Sequence, residues 1–207
     1  MLTICVYCAS SEAVASEHRV VARDLGRAIV DRGWEVMYGG GNIGLMGEVA
    51  RAALAAGGHV TGVIPHLLAE REVALEDVTR LVRTDTMRER KALMDEGSDA
   101  FVVLPGGIGT LEELVEIVTL KQLGYHERPI VLLDPTGYWE PLLQLWRRMV
   151  DEGLATSDLL DLVVTTHSPA EALDAIAQGQ GTTVDHPVDV SLELEAGETT
   201  PEHSDLE

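Results

Sequence analysis

Short apolar runs alternate along this chain with stretches whose apolar side chains recur every three or four residues. Runs at residues 2–8, 34–38, 59–64, 78–82, 100–104, 129–133 and 162–166 predict strands. Helical spacing predicts helices over 15–32, 87–96, 111–123, 138–152 and 169–177, with an alanine-rich helix ending at Ala56. Val20, Val21, Leu25, Ala28 and Ile29 share one stripe of the first helix, and Gly33 stands where a C-cap glycine would end it. Pro141 falls in the first turn of its helix, where proline is tolerated. Residues 65–77, with Glu70-Arg71-Glu72, have no clear period and are expected to be an irregular charged connection.

Strands alternating with helices predict an α/β fold. Its expected form is a Rossmann-like, doubly wound parallel sheet with helices on both faces and right-handed crossovers. The 207 residues suffice for one such domain, expected over 1–178. Residues 180–207 hold eight acidic side chains and no Lys or Arg, so 179–207 is expected to be an acidic, disordered, solubilising tail. A formal net charge of −20 argues against a nucleic-acid partner held through phosphates. No apolar run reaches membrane-spanning length and the start carries no basic leader, so a cytoplasmic, soluble protein with no membrane partner is expected.

Two glycine-rich turns follow strands, on the edge where such sheets bind ligands. Gly39-x-Gly41-x-x-Gly44 matches the dinucleotide fingerprint by letter. It follows the second strand rather than the first, however, and the next strand ends Val63-Ile64-Pro65-His66 without a ribose-binding carboxylate. These glycines are therefore expected to permit close packing and shape one wall of a cleft, with no nicotinamide cofactor. The second turn, Leu104-Pro105-Gly106-Gly107-Ile108-Gly109-Thr110-Leu111-Glu112-Glu113, leads from strand to helix. Bare backbone and a helix N-terminus make an anion cradle there, and phosphate is its usual guest. Glu113, a carboxylate, is a poor phosphate contact. It either closes a capping box onto Thr110 or does other work.

Met87-Arg88-Glu89-Arg90-Lys91 concentrates cations in a very acidic chain, and a guanidinium there suits bidentate phosphate or carboxylate contact. Cys5 and Cys8 form a C-x-x-C inside a strand, where they face opposite sides and cannot pair, so core thiols are expected. No His or Cys spacing suggests a metal site.

Taken together, Met87…Arg90-Lys91…Pro105-Gly106-Gly107-x-Gly109-Thr110-x-x-Glu113 resembles the signature of the LOG family. These are cytokinin riboside 5′-monophosphate phosphoribohydrolases, long mislabelled as lysine decarboxylases. The resemblance extends over about residues 2–178 and includes Cys8-x-Ser10-Ser11 and Tyr38-Gly39-Gly40-Gly41…Gly44-Leu45-Met46-Gly47. Ala9 departs from it, since many relatives have glycine there.

The resemblance implies hydrolysis of the N-glycosidic bond of an adenosine-type 5′-monophosphate, such as AMP, without a cofactor. It implies catalytic roles for Arg90 and Glu113. It implies substrate contacts at Glu72, Met87, Arg90 and Lys91, along Gly106, Gly107, Ile108, Gly109, Thr110, Leu111, Glu112 and Glu113, and at Thr119. A homodimer is also implied, with helix 138–149 a candidate interface. The alternatives are a nucleotide-binding carrier or sensor without catalysis, and a PLP-dependent decarboxylase. The last needs a Schiff-base lysine, and the chain has two lysines, Lys91 and Lys121.

Overall fold

A computed structural model describes residues 1–71 and 74–180. Strands and helices alternate: β1 (Thr3–Tyr7), α1 (Ser16–Asp31), β2 (Glu35–Tyr38), α2 (Gly44–Ala55), β3 (Val60–Pro65), α3 (His66–Arg71), β4 (Arg80–Thr84), α4 (Met87–Glu96), β5 (Ala100–Val103), α5 (Ile108–Gln122), β6 (Ile130–Leu133), α6 (Glu140–Asp151), β7 (Val164–Thr166) and α7 (Pro169–Ala177). A 3-10 helix, Ser157–Leu162, precedes β7.

All strands pair in parallel in one sheet of order β4-β3-β2-β1-β5-β6-β7. The period of two along β1 divides the core. Ile4 and Val6 face α1, α2 and α7, while Cys5 and Tyr7 face α4, α5 and α6. Burial on both faces is why β5 and β6 are uninterrupted apolar runs. Cys5 and Cys8 fall on opposite faces as unpaired buried thiols, and burial pushes the Cys5 thiol up to about 12. The strand order reverses between β1 and β5, which places the ligand-binding crevice of such a sheet at the ends of those two strands.

Helix ends differ in a way that decides where an anion can sit. Helix α4 opens with a capping box in which Thr86 accepts from the Glu89 N–H and Glu89 reaches back to the Thr86 N–H. Helix α7 has Ser168 as its cap. Helix α2, after the first glycine turn, spends its opening donors on the Ala9 carbonyl, from Leu45 N–H at 2.9 Å and Met46 N–H at 3.4 Å. Helix α5 has Gly107 as its N-cap, which has no side chain to offer.

Helix α5 starts at Ile108, three residues before the position expected from its apolar pattern, because Gly107 rather than Thr110 is the N-cap. Thr110 therefore lies inside the first turn, and the capping box expected as one reading of Thr110 and Glu113 does not form. The connection expected to be irregular contains α3, whose six residues are too few to show a period. The edge strand β4 lies two residues later than its apolar run suggests. The acidic segment 181–207 and Glu72 lie outside the described residues.

Candidate active site

A cleft of about 320 Å³ opens at the carboxyl ends of β1, β2 and β5. One wall is the turn after β1, from Cys8 to Ser10, with Gly39 and Met46 behind it. The opposite wall is the start of α5, with Gly107, Ile108, Gly109, Thr110, Glu112 and Glu113. Met87 and Arg90 of α4 and Leu68 of α3 close the remaining side. The turns after β1 and β5 are joined by the Ala9 N–H donating to the Pro105 carbonyl at 3.2 Å.

The α5 wall is receptive to an anion. The first hydrogen bond of the helix runs from Leu111 N–H to Gly107 O, so the N–H groups of Ile108, Gly109 and Thr110 are left open at its positive end. A Cβ placed on Gly107 or Gly109 would meet nothing within 4 Å, so this backbone stands clear for a ligand to approach. Gly106 is a glycine for another reason: a Cβ there would lie 2.1 Å from Thr110 Oγ1. At the first turn of α2 the equivalent donors are taken by Ala9. Two of the opening donors of α2, which follows Gly39-x-Gly41-x-x-Gly44, are thus already engaged within the protein.

Beneath that open turn, Arg90 and Glu113 meet. They come from α4 and α5, and Arg90 Nη1 donates to Glu113 Oε1 at 2.9 Å. Both are buried, at 7% and 8% exposure. Arg90 Nε donates to the Val63 carbonyl at the end of β3, so the guanidinium is held at two points. Glu113 lies five residues beyond Ile108, about 7.5 Å along the axis at 1.5 Å per residue. Helical side chains lean toward the N-terminus, which directs this carboxylate back toward the cleft. Burial raises the Glu113 pKa above the ordinary carboxylate value; the Arg90 charge pulls the other way and does not overcome it. A carboxylate with raised affinity for protons, kept in register by a cation, is what a general base requires.

Of the residues expected at the site, Met87, Arg90, Gly107, Ile108, Gly109, Thr110, Glu112 and Glu113 lie on the cleft, and Gly106 lies directly behind it. Three expected contacts do not reach it. Leu111 packs on the core beneath α5. Lys91 turns away to pair with Glu112 and Glu116, whose hydrogen bonds outweigh its desolvation and raise its pKa. Thr119 is exposed further along α5, its hydroxyl donating to Val115 O at 2.7 Å. The sequence pattern missed Leu68, which only α3 brings to the cleft. Among the described residues no three His, Cys, Asp or Glu side chains are grouped to hold a metal ion. No described helix is long and apolar enough to cross a membrane.

Fold and site together define a doubly wound α/β protein with an anion-receptive cleft at its switch point and a buried arginine–glutamate ion pair in the cleft floor. The family model described as "Possible lysine decarboxylase" matches residues 46–176. Over 175 residues the chain is 44% identical to the cytokinin riboside 5′-monophosphate phosphoribohydrolase of Mycobacterium tuberculosis, covering 84% of this chain and 93% of that one. It is 41% identical over 175 residues to the Arabidopsis thaliana enzyme of the same name, LOG3, covering 84% and 81%. The chain belongs to the LOG family. Among solved structures, the molybdenum cofactor carrier protein of Chlamydomonas reinhardtii superposes with a TM-score of 0.66 at 25% identity, covering 86% of this chain and 97% of that one.

The decarboxylase in the family description does not fit the residues present. A PLP enzyme needs a lysine facing the cofactor pocket. Lys91 is held by two glutamates, Lys121 is buried with its ammonium on the Arg128 carbonyl, and neither lines the cleft.

Proposed function

We propose that this cleft hydrolyses the N-glycosidic bond of adenosine-type nucleoside 5′-monophosphates, AMP or N6-substituted AMP, releasing free base and ribose 5-phosphate. The observation that carries this reading is the buried Arg90–Glu113 pair lying less than two helical turns from an open helix N-terminus. The phosphate binds the N–H groups of Ile108, Gly109 and Thr110, which leaves the ribose to span the distance to Glu113. Cleavage passes through an oxocarbenium-like state with positive charge on the sugar. The Glu113 carboxylate stabilises that charge and takes a proton from the attacking water as its oxygen bonds to C1′. The C1′–N bond breaks and its electron pair leaves with the base.

Arg90 orients Glu113 and, through the rest of its guanidinium, the nucleotide. Holding the phosphate far from the breaking bond serves the transition state by setting its geometry. Met46, Leu68 and Met87 give the cleft an apolar side suited to the base and its N6 substituent. The names of the curated relatives support the same reaction.

The test is incubation of the purified protein with AMP and N6-isopentenyl-AMP, following release of base and ribose 5-phosphate. The carrier reading, favoured by likeness to the molybdenum cofactor carrier, expects the nucleotide to be bound and recovered intact. Intact nucleotide after long incubation would replace the hydrolase reading with that one.

A further inference from the structure

We propose that Tyr138, which precedes α6 and lies outside the cleft wall, is a positioning residue for the phosphate cradle; this rests on the reading given above. Its hydroxyl donates to the Gly106 carbonyl at 2.6 Å, across from the end of β6 to the turn after β5. The hydroxyl is placed by a rigid base. The buried Asp134 carboxylate accepts the N–H groups of Tyr138 at 2.8 Å and Trp139 at 2.7 Å. The Tyr138 ring stands edge-on to Trp139, with centroids 4.9 Å apart.

The consequence follows from peptide geometry. In a trans peptide the carbonyl and the following N–H point in opposite directions within one plane. Holding the Gly106 carbonyl toward Tyr138 therefore aims the Gly107 N–H the other way. Gly107 lines the cleft, and its N–H has no partner among the described residues. The peptide between Gly106 and Gly107 is flanked by the two residues with the widest backbone freedom, so little else opposes its flipping. Flipped, it would present a carbonyl dipole to the anion and withdraw a donor. Tyr138 selects the phosphate-binding orientation of this turn.

Tyr138→Phe keeps the ring and removes the hydroxyl. It is expected to weaken binding of ribose 5-phosphate, measured by calorimetry, about fivefold to tenfold, the range of one neutral hydrogen bond. KM for the nucleoside monophosphate rises similarly, kcat changes less, and affinity for free adenine and melting temperature stay at the wild-type values. Tyr138→Leu, which also removes the ring, is expected to lower the melting temperature without further loss of ribose 5-phosphate affinity. Wild-type ribose 5-phosphate binding in Tyr138→Phe would overturn the inference, as would equal loss of adenine and ribose 5-phosphate. If the wild-type protein binds no ribose 5-phosphate and cleaves no monophosphate, the proposed function falls and takes this inference with it.

Discussion

The guanidinium of Arg90 occupies the space that a side chain on Gly39 would need: a Cβ built there falls 2.1 Å from Nη2. The glycine after β2 thus makes room for the cation on α4 that holds Glu113 on α5. Gly39 serves the buried pair by leaving space for the guanidinium.

Gly39→Ala is therefore expected to displace Arg90 and break the buried pair. Breaking such a pair costs about 3–5 kcal/mol where one charge is left uncompensated. A backbone shift that retains part of the pair would reduce the loss. Thermal unfolding and turnover should fall together, and wild-type activity in Gly39→Ala would contradict the packing described.

Glu113→Gln preserves shape and an acceptor for Arg90 but removes the charge and the base. Turnover of the monophosphate is expected to fall about 10²–10⁴-fold, as for loss of a general base, while ribose 5-phosphate still binds. Unchanged kcat would leave Glu113 a structural partner of Arg90 only.

The raised Glu113 pKa has two pH signatures. Activity that needs its carboxylate should show an acid limb in kcat/KM at higher pH than a free glutamate would give. For stability the folded state holds the proton more tightly than the unfolded chain. The contribution is therefore present below the ordinary glutamate pKa and is lost as pH rises through the raised one. Melting curves of wild type and Glu113→Gln across that window should diverge in this sense, the wild type losing stability relative to the variant as pH increases.

Gly106→Ala would place a methyl group 2.1 Å from Thr110 Oγ1 and 2.4 Å from its Cβ, so rotation of the threonine cannot relieve the clash. The first turn of α5 must move. Affinity for ribose 5-phosphate is expected to drop more than affinity for adenine, readable by calorimetry with each ligand alone.

Lysine supplied with PLP is expected to yield no carbon dioxide, and the protein to develop no imine absorbance. The ammonium groups of Lys91 and Lys121 are engaged away from the cleft. Appearance of the diamine product would reverse this.

Much of this molecule was legible in one dimension. The alternation of short apolar runs with helical spacing predicted all seven strands and every α-helix except α3, because burial on both faces of a parallel sheet leaves a strong apolar signature. Glycines and the cluster around Arg90 marked the edge where the cleft opens, because close backbone approach and cationic charge demand particular residue types. Tertiary structure alone decided the rest. Whether Glu113 caps its own helix or meets a cation depended on Gly107 starting the helix three residues early, which no local pattern distinguishes. Which glycine turn keeps its donors open depended on Ala9 reaching α2 across the sheet. Lys91 and Arg90 are neighbours in the chain, yet the turn of one helix sends one to Glu112 and Glu116 outside the cleft and the other to the buried pair. Residue type declares which chemistry is possible; the distances that make it one site exist only once separate strands and helices are packed side by side.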